Sequence, residues 1–155
     1  MKWGPTANFV GGQLVACYYD TCERYDNATG EWTKIADTSS TRFKHSSAQI
    51  ENQILLIGGT PPNFTEWIPA NGGPSVKGPL DIIRHGEDHC TIQVSSDLIV
   101  LTGGTVYPDT LDYVTEYQLN DNATETEMTS LINGRRLHAC GVYREAGGQQ
   151  VRISW

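Results

Sequence analysis

The run His85-Gly86-Glu87-Asp88-His89 is the densest set of metal-binding and acid–base groups in the chain. On a helix, two histidines four apart share a face and can share a metal, with the carboxylates as further ligands or as a base. Gly86 and the upstream Pro79 argue instead for a loop that leads into a strand. His89 also has counterparts in His45 and His138, each heading a similar stretch. A residue that recurs once per repeat answers a packing or hydrogen-bonding need common to every repeat, so no metal site is expected. Nucleophiles give no better lead. The pairs Ser39-Ser40, Ser46-Ser47 and Ser95-Ser96 lie in turns or strands, outside any Gly-x-Ser-x-Gly elbow. Gly72-Gly73-Pro74 lacks the lysine and the following helix of a phosphate-binding loop. The chain is therefore expected to be non-catalytic and to carry no cofactor.

Covalent chemistry remains. Cys17, Cys22, Cys90 and Cys140 form no Cys-x-x-Cys pair, which argues against zinc. The spacing of Cys17 and Cys22 suits a disulfide across a tight turn between two strands, or two unpaired thiols; the state of Cys90 and Cys140 stays open. Asn27, Asn63 and Asn122 each begin an Asn-x-Thr sequon, an acceptor for N-glycosylation. Together these features favour an extracellular protein over a cytoplasmic one. The stretch Met1-Lys2-Trp3-Gly4-Pro5 has no apolar signal-peptide core, but a chain cut from a longer precursor would look the same. With 18 acidic and 11 basic residues the net charge is −7, and Arg135-Arg136 is the only adjacent basic pair. Nucleic acid is thereby excluded as a partner, because its phosphates need a basic face. The longest clean apolar run, Ile54–Ile57, is strand length and far short of a membrane span.

An internal repeat supplies the elements that hold these groups. Segments starting at His45, His89 and His138 each read histidine, a β-prone run, a polar turn and a second β-prone run. The histidines are 44 and 49 residues apart, and the diglycines Gly58-Gly59 and Gly103-Gly104 that close the first two segments are 45 apart. Gly147-Gly148 comes too soon after His138 to be a third diglycine and matches the hairpin turns Asn52-Gln53 and Ser96-Asp97 instead. Gly11-Gly12, between Asn8-Phe9-Val10 and Gln13-Leu14-Val15, is likewise a turn. The first diglycine slot then falls on Tyr18-Tyr19. It is followed by Glu23-Arg24-Tyr25 and, seven residues after Tyr25, by Trp32.

Diglycine after a β-run, tyrosine in the next strand and tryptophan in the one after, at a period near 50, resembles the kelch repeat. The resemblance covers about Thr6 to Trp155. It departs from the pattern where Trp67 takes the tyrosine position, Ser75 lies near a tryptophan position, and Met128 replaces tryptophan after Tyr117. The resemblance implies an all-β, kelch-type β-propeller built of four-stranded antiparallel blades, with almost no helix. Residues 1–5 form a tail, and blades fall at about 6–36, 45–78 and 89–130, with half a blade at 138–155. Gly58, Gly59, Gly103 and Gly104, Tyr25, Trp32, Trp67 and Tyr117, and His45, His89 and His138 are then structural, the aromatic residues packing between blades. Three and a half blades leave the ring open, so the remaining blades of a longer protein, or a second copy, are expected to close it.

The same resemblance implies a protein–protein interaction module that offers loops to a protein partner. One loop set joins the second and third strands (60–63 and 105–112). The other links blades (38–44, 82–88 and 133–137). Arg42, Lys44, Arg84, Tyr107, Asp109 and Arg135 are the expected contacts. Arg42, Arg84 and Arg135 each lie a few residues before a repeat histidine. Structural hydrogen bonds to loop carbonyls are the competing expectation for them. Two alternatives complete the reading: a truncated propeller with no function of its own, and a fragment of a galactose-oxidase-like copper radical enzyme. The latter resemblance would require a cysteine joined to a tyrosine, a second tyrosine and two histidines.

Overall fold

A computed structural model describes residues 5–61, 63–120, 123–136, 140–144 and 151–154. His138 and Asn122 lie outside them. Every regular element among the described residues is a strand, and all the sheets are antiparallel. The chain runs as consecutive meanders. The first holds β1 (Thr6–Val10), β2 (Gln13–Asp26) and β3 (Glu31–Arg42). The second holds β4 (Ser46–Ile50), β5 (Gln53–Ile57), β6 (Phe64–Pro69) and β7 (Val76–Asp81). The third holds β8 (Cys90–Gln93), β9 (Leu98–Thr102), β12 (Val114–Gln118) and β13 (Thr124–Glu127), with a two-stranded ribbon of β10 (Thr105–Val106) and β11 (Asp109–Thr110) between its second and third strands. A last hairpin pairs β14 (Gly141–Arg144) with β15 (Val151–Ser154).

β2 is not one straight strand. Five extended residues span about 16 Å, yet the Cα atoms of Cys17 and Cys22 are 4.1 Å apart, joined by a disulfide. The chain therefore doubles back over residues 18–21. Tyr19 takes φ 52° there, in the slot that the other repeats fill with diglycine. The N-terminal part of β2 pairs with β1 and the C-terminal part with β3, so the first sheet also has four extended segments. Its opening hairpin turns on Gly11 and Gly12, both at positive φ, as the right-handed strand twist requires of a two-residue turn. β3 continues six residues beyond the expected end at 36. The ribbon β10–β11 occupies what was expected to be loop.

The sheets stack through both faces of their central strands, which is why those strands read as unbroken apolar runs. Ile54 and Leu56 of β5 pack towards Val15, Cys17, Cys22 and Ala36 of the first sheet. Leu55 and Ile57, facing the other way, pack with Ile99, Leu101 and Tyr117 of the third. Val100 points on towards Ile92, Val114 and Cys140. The leading strands β1, β4, β8 and β14 pack in series. Hydrogen bonds join them: His45 Nε2 to Thr6 Oγ1 (3.2 Å), Asn8 Nδ2 donating to Ser47 Oγ (2.8 Å), and His89 Nε2 to Ser46 Oγ (2.8 Å). At the next step Cys90 stands where Ser46 stood, and a disulfide to Cys140 makes the link.

Trp67 and Tyr117 pack between the second and third sheets. Trp32 is 46% exposed, and its ring lies against Tyr25 (5.2 Å between centroids), with none of the described sheets over it.

Candidate functional site

The loops after the diglycines and the loops between sheets interleave on one face. Gly59 N–H donates to Gly86 O (3.2 Å), Thr60 N–H to Phe43 O (3.0 Å), and Asp88 N–H to Lys44 O (3.1 Å). One sheet further on, Thr105 and Glu87 exchange both backbone bonds (2.8 and 3.1 Å), and Gly104 N–H donates to Arg135 O (2.7 Å). Both diglycines have positive φ throughout, Gly58 and Gly103 at 59° and 61°, Gly59 and Gly104 at 103° and 111°. A Cβ on Gly59 would sit 2.8 Å from Phe43 O, and one on Gly104 would run into His85 O. The diglycines thus let the inter-sheet loop backbone lie directly on the strand ends. The residues just before two of the repeat histidines, Lys44 (56°) and Asp88 (58°), are left-handed as well.

The six expected contacts separate on this scaffold. Arg42 is fully buried, which overturns its role as a partner contact. Its Nε and Nη2 donate to Glu66 Oε2 (3.1 and 2.6 Å), and its Nη1 donates to Gly58 O (3.0 Å) and Phe64 O (2.8 Å). Burial pushes the Glu66 carboxyl up, but the Ser75 hydroxyl, the Ser39 amide and Arg42 together hold it below the usual range. The counterpart of Arg42 in the next repeat is His85, not Arg84. Buried His85 bonds Gly103 O through Nδ1 and Thr115 Oγ1 through Nε2, both at 2.8 Å. Both nitrogens of this half of the His85–His89 pair are therefore engaged inside the protein. Arg84 turns to the outer strand, where its guanidinium meets Glu125 (3.3 Å) and Glu127 (2.7 Å). Lys44 joins the loops through Glu87 (2.7 Å) and Asp88 (3.1 Å), and these contacts raise its pKa against the cost of burial. Tyr107, Asp109 and Arg135 are exposed on the loop face, Tyr107 by 92%.

Sequence reasoning missed the apolar part of this face. Ile83 (68% exposed) and Val106 (45%) line a cleft with Tyr107, and Ile132 (99%) is displayed on the loop that follows. The loop of Ile132 is fastened to the ribbon side by Leu131 N–H to Asp112 O and Arg135 N–H to Leu111 O, both 2.8 Å. Ile83, Val106, Tyr107, Thr60, Glu87 and Asn63 line a cleft of about 360 Å³. A lone isoleucine in a loop carries no sequence signal that separates packing from display. Only the loop geometry shows that Ile83, Val106 and Tyr107 meet at one cleft.

Asn27 is exposed at the tip of the β2–β3 turn, and Asn63 is exposed at the cleft. All four cysteines are paired.

No protein-family model matches the chain, and no curated protein matches its sequence. Among solved structures it is similar to the structure of YjhT, with a TM-score of 0.77 at 12% identity. The match covers 91% of this chain and 56% of that one, so the chain spans little more than half the length of this neighbour. At such identity the likeness concerns the fold alone.

Proposed function

We propose that the chain is a kelch-type propeller segment whose loop face binds a protein partner and performs no chemistry of its own. The observation that carries this reading is the display of Ile83, Val106, Tyr107 and Ile132 on interlocked loops. Apolar and aromatic side chains presented together on a rigid frame, with polar groups around them, are what protein interfaces use as anchors. Arg135 and Asp109 supply the polar rim, whereas Arg42 holds the frame. The repeat spacing, the four-segment meanders and the likeness to a longer solved chain support the propeller reading. Further sheets, from a longer chain or a second copy, would then cover the exposed outer side of the first sheet. Complete pairing of the cysteines supports an oxidising, extracytosolic compartment.

Within this chain the disulfides engage all four cysteines, which favours the binding reading over a cysteine–tyrosine site built from these residues. A photo-crosslinking residue at position 107 tests the binding reading. It should capture a partner, and Ile83→Asp with Ile132→Asp should abolish that capture. Equal capture from position 76, on the outer strand β7, would sink the reading.

A further inference from the structure

We propose that Asn63 is an N-glycan attachment site and that its glycan closes the loop cleft. The proposal rests on the reading of this face as a binding surface, and adds the modification that would regulate it. The three sequons differ in setting. Asn27 and the rest of its turn are exposed and do not line the cleft. Asn122 is outside the described residues. Asn63 is exposed and lines the cleft, opposite the ribbon residues Val106 and Tyr107.

The attachment point is rigid. Asn63 O accepts the Ile82 N–H (2.5 Å), and the next residue, Phe64, is held by Arg42 through its carbonyl (2.8 Å) and its ring (4.7 Å). A sugar on Asn63 Nδ2 therefore starts from a backbone held at the cleft. A space of about 360 Å³ suits one small ligand, and a branched core glycan exceeds it. The chemistry needs a lipid-linked oligosaccharyl diphosphate as co-substrate. Asn63 Nδ2 loses a proton and bonds to the sugar C1, while the C1–O bond breaks and the lipid diphosphate departs with the electron pair. Pairing of every cysteine is the second observation, and it supports an oxidising compartment of the kind in which this donor is met.

The structure also sets when the step occurs. The sequon hydroxyl, on Thr65, is fully buried; it donates to Leu80 O and accepts from Leu80 N–H, both at 3.1 Å. Transfer at Asn63 must precede the pairing of β6 with β7, whereas the turn at Asn27 stays open to modification after folding.

The test is secretion of the 155-residue chain from a eukaryotic cell behind a leader peptide, with occupancy of each sequon read by mass spectrometry. Nitration of Tyr107, mapped by peptide, reports access to the cleft, with Tyr25 as internal control. The expected result is an occupied Asn63, several-fold slower nitration of Tyr107 than in Asn63→Gln, and no change at Tyr25 or in Asn27→Gln. If Asn63→Gln is not secreted, trimming the folded wild-type protein with an endoglycosidase gives the same comparison. A secreted protein with Asn63 bare, or equal Tyr107 reactivity with and without the glycan, overturns the proposal. Neither readout uses a partner. Failure of crosslinking from position 107 in trimmed protein would remove the binding reading and leave the masking result standing.

Discussion

Arg42 and Glu66 illustrate how far a side chain's role depends on what folds against it. Two fully buried charges, 24 residues apart in sequence, are held by bonds within 3.1 Å. Such a pair adds little over an apolar pair of the same shape, yet breaking it leaves a bare charge in the interior. Arg42→Met should therefore cost about 3–5 kcal/mol in urea unfolding, and adding Glu66→Gln should recover part of that loss. A cost below about 1 kcal/mol would show that water reaches Glu66. The histidines give the pH dependence. Burial first, then the Arg42 charge, lower His45 from 6.5 to about 4. The unfolded chain takes up this proton near pH 6.5 and the folded chain near 4, so stability is full above that window and falls as the pH drops through it. The total is about 3 kcal/mol, and buried His85 acts in the same direction. The urea midpoint should fall between pH 7 and pH 5, before most carboxylates titrate. In His45→Gln the fall should be shallower; an equal fall in both proteins would assign the dependence elsewhere.

The strand ends are where sequence and backbone meet at the scale of elements. Gly104 and Gly73 have similar φ, 111° and 123°, but a Cβ on Gly104 would strike the His85 carbonyl, whereas one on Gly73 would meet nothing within 4 Å. Gly73→Ala should thus cost only the left-handed conformation, about 1 kcal/mol, and Gly104→Ala clearly more, because the loop that carries the cleft must lift. Comparable losses in the two variants would refute the close-approach account of the diglycine. The two disulfides fall where the repeat lacks its usual device. Cys17–Cys22 tightens the turn in which Tyr18-Tyr19 replaces diglycine, and Cys90–Cys140 joins sheets where Cys90 replaces the hydroxyl that His89 finds on Ser46. The first pair was within reach of sequence reasoning, since five residues and a turn bring the thiols together. The second was not, because only the stacking of β8 on β14 brings residues 50 apart into contact. Strand positions were readable because β-prone runs, turn residues and diglycines recur together. For Arg42 the structure agrees with the reading of hydrogen bonds to loop carbonyls and not with that of a partner contact, while Glu66 carries no sequence mark as its partner.

Among the described residues, the sheets form a row in which the faces between neighbouring sheets are buried and the outer face of the first sheet is open. The β1–β2 register puts Thr6, Asn8 and Val10 with Val15 and Cys17 on the side of the second sheet. It leaves Ala7 opposite Ala16, and Phe9 opposite Leu14, on the other side. After a register shift between Cys22 and Glu23, Tyr25 pairs with Trp32 at the far end of the same sheet. On the open side Phe9 is 64% exposed. The hydrophobic effect acts on this surface as it does within the stack, at about 25 cal/mol for each Å² removed from water. A second copy can meet that need where no further sheet does. The 155-residue chain should therefore show a weight-average mass in sedimentation velocity that rises with concentration. Phe9→Asp with Leu14→Lys should return it towards the monomer without lowering the urea midpoint, because both positions lie outside the stacked core. The loop-face variants Ile83→Asp and Ile132→Asp should leave the association unchanged, since they lie on the loops rather than on the uncovered sheet. A chain that stays monomeric across the range, or associates equally after the first-sheet substitutions, would mean that this face is stable in water without a cover.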